Sequence, residues 1–330
     1  MGSDVNALRW DRTPGHYEVY YLSLTDAASG CGAWIRYTML APLHGEPTCA
    51  LWFMAMEPDG GLHGHKQTLP IELLDARAEP FELGIGEARL DDRGMRGGFD
   101  DVAWDLHWTP RLPPYKHVHP LLERAKIAKT VLTLPHPDLE IAGTLRFAGR
   151  ELALQGARGG QAHLWGSKHA ARWAWAHCND FRTPSGEPAV DSFVDAVSVF
   201  VPRFGRQVGP STPIVARLLG EDFISISPLA VLRTPSEFSL TGWRFEARAG
   251  KRRIAVEVDA SPDALVGVTY HDPDGDPAYC YNSEIASMRV EISDRAGGSW
   301  KLRETLVADG RAHFEYAQRE PVAAVALLVT

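Results

Sequence analysis

No stretch of this sequence approaches the roughly 18 consecutive apolar residues that a membrane-spanning helix requires. Its opening, MGSDVNALRW, has no apolar core of signal-peptide length. A cytoplasmic, soluble protein without a transmembrane segment is therefore expected. Cysteine is scarce: Cys31, Cys49, Cys178 and Cys280 are too dispersed for a disulfide scaffold or a Cys-x-x-Cys zinc or redox element, which leaves buried free thiols. Positive charge is also in deficit, with 34 Lys and Arg against 42 Asp and Glu and a net charge of −8. Such a field repels phosphate backbones, so nucleic acid is not an expected partner.

Nucleotide and hydrolase signatures are missing too. The nearest approach to a dinucleotide fingerprint is Gly84-Ile85-Gly86, which lacks the third glycine and the βαβ surroundings. No Gly-x-Ser-x-Gly elbow presents a nucleophilic serine. No cofactor is expected.

What is present is β-structure. Apolar residues make up 45% of the chain and charged residues 23%, the balance of a folded globular protein. Their spacing has period two far more often than 3.6. YEVYYLSLTD, CGAWIRYTMLAP and TCALWFMAMEPDG are aromatic and β-branched runs closed by Gly, Pro or Asp. The same pattern returns after residue 190, and the whole reads as antiparallel meanders or barrels, with two β-sandwich domains as the rival. ELLDARAEP and PLLERAKIAKTVLTLP are the passages with a helical pull. At 330 residues the chain suits two domains. The turn-rich TPSGEPA divides it into residues 1–182 and 183–330.

The densest chemistry lies in HLWGSKHAARWAWAHCNDF, residues 163 to 181. Read as strand, turn and strand, alternation puts His163, Trp165, Ser167 and His169 on one face. After the break it groups Trp173, Trp175, His177 and Asn179 opposite Ala174, Ala176 and Cys178. An ordinary amphipathic strand would carry Lys or Glu on its wet face. This one carries Trp, His and Asn, as the wall of a ligand cavity would, with the aromatic face expected inward. A helical reading of residues 173 to 179 clusters the same side chains.

His63, His65, His117 and His119 form two His-x-His pairs, whose i and i+2 spacing suits zinc or iron. Turn residues and prolines surround both pairs, so no metal site is expected and rim or loop histidines are. Carboxylates near aromatic residues are the candidates for proton chemistry, because an apolar enclosure raises a carboxyl's pKa. Glu18 lies among Tyr17, Tyr20 and Tyr21, and Glu284 follows Tyr279 and Tyr281.

GHYEVYYLSLTD with CGAWIRYTMLAP, the HLWGSKHAARWAWAHCNDF block and GVTYHDPDGDPAYCYNSE together give the chain a resemblance to a known family. It resembles the lipocalin-like two-domain proteins grouped around carotenoid 1,2-hydratase, tocopherol cyclase and AttH-type proteins. The resemblance implies an all-β fold of two calycin-type antiparallel barrels packed together, with a site in a large apolar cavity near the domain interface. It also implies cofactor-independent cyclase, hydratase or pericyclase chemistry on isoprenoids or polyenes. Its Trp-Gly and Asn-x-Phe elements fall on Trp165 and Gly166 and on Asn179 and Phe181, with Asp180 between the latter two.

The leading expectation is an acid, with His177, Asp180 and Glu284 as candidates, that protonates a C=C bond of a hydrophobic small molecule. Trp165, Trp173, Trp175 and Asn179 would shape the cavity, and Tyr21 and Tyr279 would orient the capturing hydroxyl or water. The alternatives are a carrier for a hydrophobic metabolite, a natural-product pericyclase, or a scaffold with both barrels filled.

Overall fold

A computed structural model describes residues 3–124, 129–203 and 206–330. The fold is all-β, as the period-two pattern implies. Among the described residues, twelve antiparallel strands build the first sheet. It runs as a meander from its edge strand Leu62–Pro70 through Thr48–Met56 and Cys31–Ala41 to His16–Asp26, which then pairs with the long strand Arg150–Gly166. The other edge strand, Leu74–Ala78, follows Leu62–Pro70 in the chain through the single turn Ile71–Leu73, so the sheet curls back nearly to closure.

The second sheet repeats this plan. Its first strand, Arg172–Cys178, lies between the next long strand, Phe193–Arg203, and the long strand Ser299–Gln318. Each half also ends in a hairpin of two long strands, Thr130–Phe147 with Arg150–Gly166 and Pro277–Ala296 with Ser299–Gln318. Both hairpins carry register shifts, and such bulges bend strands around a closed sheet. The chain passes from one sheet to the other between Gly166 and Arg172.

Side-chain alternation sends each strand's two faces to different places. Tyr20, Leu22 and Leu24 point into the first barrel and pack with Ile35, Phe53 and Trp104, while Tyr17, Val19 and Tyr21 point out toward the second barrel. On the strand Arg172–Cys178 the small residues Ala174, Ala176 and Cys178 fill the second barrel's interior. Trp173 and Trp175 face the first barrel instead. The aromatic face thus looks outward from its own barrel, the reverse of the inward orientation expected. Both interiors are filled by apolar side chains, and the open space lies between the barrels.

Two helical expectations resolve differently. ELLDARAEP forms the short turn Ile71–Leu73 and an edge strand. The other passage has a helical segment at Pro120–Arg124 and is strand from Thr130, while residues 125–128 lie outside the described residues. Among the described residues, no helix is long and apolar enough to cross a membrane.

Candidate active site between the two barrels

A cavity of about 770 Å3 opens between the outer faces of the two sheets. The first barrel contributes Tyr17, Tyr21, Arg36 and Trp52, and the second contributes Trp173, Trp175, Tyr270 and Glu315. Val19, Leu132, Leu164, Val197 and Val199 supply aliphatic wall. A volume of this size suits a small organic molecule, and the mix of apolar area with a few polar groups is that of a ligand site.

Close approach of the barrels depends on glycine. A Cβ on Gly159 would stand 2.1 Å from the Ser23 carbonyl oxygen, and one on Gly160 would stand 2.7 Å from Nε2 of His177. The Gly159-Gly160 pair therefore lets strand Arg150–Gly166 lie flat against its neighbour and leaves room for the second barrel's imidazole.

An ion pair crosses the junction at the cavity wall. Nη2 of Arg36 donates to Oε2 of Glu315 at 3.1 Å, and Nη1 donates to the Tyr270 hydroxyl. Oε1 of Glu315 accepts from the Trp173 indole at 2.6 Å. The guanidinium lies 3.9 Å from the Trp34 ring centroid and 4.9 Å from that of Tyr270, so aromatic faces help to offset its desolvation.

His169, in the connection between the sheets, forms the second polar feature. Its ring stacks on Tyr17 at 4.3 Å and lies 5.4 Å from Trp173 and 5.7 Å from Tyr270. Nδ1 is 2.6 Å from Oδ1 of Asp272, whose other oxygen accepts from Arg319 at 2.7 Å. Burial favours the neutral acid of Asp272, but the hydrogen bonds from His169 and Arg319 outweigh it and bring the pKa down to about 2. An ionised carboxylate only accepts hydrogen bonds, so Nδ1 of His169 carries a proton. Among the described residues its Nε2 has no hydrogen-bond partner, and the residue lines the cavity.

A third cluster backs the wall. The buried Asp195 carboxylate lies 3.0 Å from Nδ1 of His177 and accepts from the Trp175 indole at 3.2 Å, and Nε2 of His117 is 2.9 Å from its Oδ1 and 3.3 Å from its backbone carbonyl oxygen. Burial pushes its pKa up, yet the two imidazoles prevail and hold it below the ordinary value. His177 in turn stacks at 6.0 Å on His313, whose Nδ1 is 2.6 Å from Oε2 of Glu284.

Of the residues singled out from sequence, Tyr21, Trp173 and Trp175 line the cavity. His177 and Glu284 are buried in the polar seam behind it. Asp180 is partly exposed and pairs with Arg311 at 2.8 Å. The Asn179 amide donates to Asp138 at 2.9 Å and to the Gly159 carbonyl at 2.7 Å, tying the barrels together. Trp165 packs on His163 and under Arg9, and Tyr279 packs against the second barrel's core.

His163 and His169 do not share a face, because the strand ends at Gly166 and His163 points into the first barrel. The expectation of a raised pKa for Glu18 is reversed. Burial is the largest single influence and does raise it, but hydrogen bonds from His16, His163 and the Arg9 backbone outweigh burial and bring the pKa down to about 2. His63 and His65 sit on strand Leu62–Pro70 rather than in a turn, facing Glu57 and Asp101. Among the described residues, no group of three or more His, Cys, Asp or Glu is arranged to hold a metal.

Arg36, Asp195, Tyr270, Asp272 and Glu315 were not identified as site residues from sequence. For the four on strands the signal is a charged or hydroxylated side chain on a mostly apolar face, as Asp195 between Phe193 and Val197, whereas Asp272 follows the strand Val266–His271 and carries no such pattern.

No family model matches the chain. Over 294 residues, covering 87% of this chain and 84% of the relative, it is 31% identical to Uncharacterized protein Rv0493c of Mycobacterium tuberculosis H37Rv. The same figures hold for Uncharacterized protein MT0513 of strain CDC 1551. Among solved structures the fold is similar to that of CghA, with a TM-score of 0.57 over 93% of this chain and 88% of CghA at 11% identity. Kievitone hydratase from Nectria haematococca gives 0.54 over 96% and 92% at 10% identity. An AttH-type protein from Nitrosomonas europaea gives 0.52 over 95% and 98% at 14% identity. At these identities the likeness to the solved structures is one of fold.

Proposed function

We propose, for a chain that belongs to the family of the mycobacterial protein Rv0493c and has the lipocalin-like two-barrel fold of kievitone hydratase and CghA, that it is a hydratase or cyclase acting on an apolar small molecule between its barrels. One observation carries this reading. His169 is fixed through Nδ1 by Asp272 and has Nε2 without a partner among the described residues, in a cavity walled by Tyr17, Trp173 and Tyr270.

In its protonated form His169 donates the Nε2 proton to a conjugated or electron-rich C=C bond, and the Asp272 carboxylate balances the imidazolium charge. The π bond takes up that proton and leaves a carbocation, which the faces of Tyr17, Trp173 and Tyr270 stabilise. A water, or a hydroxyl of the substrate itself, attacks the cation and forms the C–O bond. The proton it releases returns to His169. Water gives a hydrated product and an internal hydroxyl gives a ring.

In this reading Asp195, His117 and His177 are positioning residues that hold Trp175 in the wall. Glu284 holds His313 behind them. Asp180, engaged with Arg311, has no part in the chemistry. The Arg36–Glu315 pair fixes Trp173 and Tyr270, so that the rings meet the substrate in one orientation.

The test uses an organic extract of the host cells, incubated with the protein in D2O and followed by mass spectrometry. The wild type is expected to convert at least one compound into a product bearing carbon-bound deuterium, and His169→Gln is expected to convert none. A wild type that binds apolar compounds from the extract but labels none of them would instead be a carrier.

A further inference from the structure

The cavity between the barrels opens to solvent at an apolar rim. Val201, Val208, Pro228 and Leu232 line the cavity and are themselves exposed. Val201 pairs with Val208 across the hairpin of Phe193–Arg203 and Arg206–Ser211. The short helix Pro228–Arg233 is fastened beside that hairpin, where the Thr212 amide donates to the Val231 carbonyl at 2.9 Å. Leu122, from the helical segment Pro120–Arg124, lines the same cavity.

The helix Pro228–Arg233 carries the pattern most clearly. Its buried side chain is Val231, while Leu229 and Leu232, three apart and so on one face, are 58% and 62% exposed. A surface helix ordinarily turns polar residues to water. With Leu121, Val201 and Val208, these two make five of the eleven exposed large apolar side chains among the described residues, all in three segments that meet at the cavity. Apolar surface gathered around one opening marks a docking face.

Charge says what docks there. The chain as a whole carries −8, but the exposed cations Arg124, Lys129, Arg206 and Arg233 lie in or beside these segments. The neighbouring carboxylates are engaged with other cations, Glu123 with Lys116, and Asp274 and Asp276 with Lys168. An apolar rim with cations around it complements a bilayer that bears anionic head groups, because leucines enter the acyl boundary while arginines reach the phosphates. A second copy of this chain on the same face would bring like charges together.

We propose that this rim docks on an anionic lipid surface, and that an apolar ligand passes from the bilayer into the cavity without crossing water. The proposal takes from the proposed function only that the cavity receives an apolar molecule, and it adds the route of entry.

The experiment is cosedimentation of the full chain with sucrose-loaded vesicles of phosphatidylcholine alone or of an equimolar mixture with phosphatidylglycerol. The wild type is compared with a Leu229→Ser, Leu232→Ser double variant, an Arg206→Gln, Arg233→Gln double variant, and Leu302→Ser. Leu302 is as exposed, at 61%, but lies outside the rim. All five side chains face solvent, so urea midpoints should not change. The wild type is expected to bind the mixed vesicles about tenfold more tightly than phosphatidylcholine. Each double variant should lose about tenfold on the mixed vesicles, and Leu302→Ser should match the wild type.

A wild type that does not bind the mixed vesicles overturns the proposal, as does full binding by either double variant or an equal loss in Leu302→Ser. Light scattering identifies the other occupant: a dimer that the leucine double variant dissociates, without vesicle binding, makes the rim a contact between copies of the chain. A wild type that ignores vesicles yet labels a compound with deuterium removes the docking face alone. One that docks but labels no compound removes the chemistry alone.

Discussion

Six residues apart in one stretch of chain, His163 and His169 have nearly the same immediate partners. Each stacks on a tyrosine, His163 on Tyr20 at 4.1 Å and His169 on Tyr17 at 4.3 Å. Each bonds a carboxylate whose pKa is brought down to about 2, Glu18 in one case and Asp272 in the other. The difference is in the second ring nitrogen. That of His163 meets the Val5 carbonyl at 2.8 Å, and Glu18 also receives Arg9, Trp10, His16 and Tyr20. That of His169 has no partner among the described residues and belongs to a cavity wall. A carboxylate–imidazole pair with every donor and acceptor used is a clamp, here fastening the N-terminal segment to the first barrel. The same pair with one nitrogen to spare at a cavity is equipped for proton transfer.

The largest expected contrast is catalytic. His169→Gln should lower turnover by about 10²–10⁴-fold, with the urea unfolding midpoint nearly unchanged, whereas His163→Gln should shift the midpoint and leave the turnover of folded protein intact. Comparable losses of turnover in both variants would erase the distinction.

Next is stability at Glu18, where Glu18→Gln should cost roughly 3 kcal/mol at neutral pH, read from urea denaturation. Because the folded pKa of about 2 lies below the ordinary carboxyl value of 4.5, the ionised group's contribution is fully present above about pH 4.5. It is lost as pH falls toward 2. The stability gap between the wild type and Glu18→Gln should therefore be flat from pH 5 to 7 and narrow below pH 4.5; a gap that widens on acidification would reverse the assigned sign.

Smaller again, Tyr17→Phe keeps the ring against His169 and loses the 2.7 Å hydrogen bond to Thr130. About 1 kcal/mol of stability should go, and deuterium incorporation should persist because the stack remains. The smallest effect belongs to Asp180→Asn. Its partly exposed pair with Arg311 is worth at most about 1 kcal/mol, and turnover should not change; a large loss of turnover would return Asp180 to the chemistry.

The sequence made the fold legible because barrel strands carry their two environments in alternation. The contrast of Trp173, Trp175 and His177 with Ala174, Ala176 and Cys178 is plain in the sequence itself. Which face lies inside a barrel is not, since small residues suit a tightly curved interior as well as an outer contact. Only the sheet order, with Phe193–Arg203 and Ser299–Gln318 on either side, turns the aromatic face to the junction.

The polar partners were hidden for a different reason. Arg36 and Glu315 are 279 residues apart, and His169 and Asp272 are 103 apart. No local spacing rule joins such pairs. Glu18 misled in the same way, because the donors that lower its pKa come from the N-terminal segment and from His163.

The central claim is that ligands bind between the barrels with reactive atoms beside His169. A crystal structure of the protein with bound cis-parinaric acid methyl ester tests this most directly. The polyene is expected to lie against Trp52, Trp173 and Tyr270, with its chain passing Nε2 of His169. A polyene seated inside either barrel, displacing Phe53 or Phe314 from its core, would contradict the account.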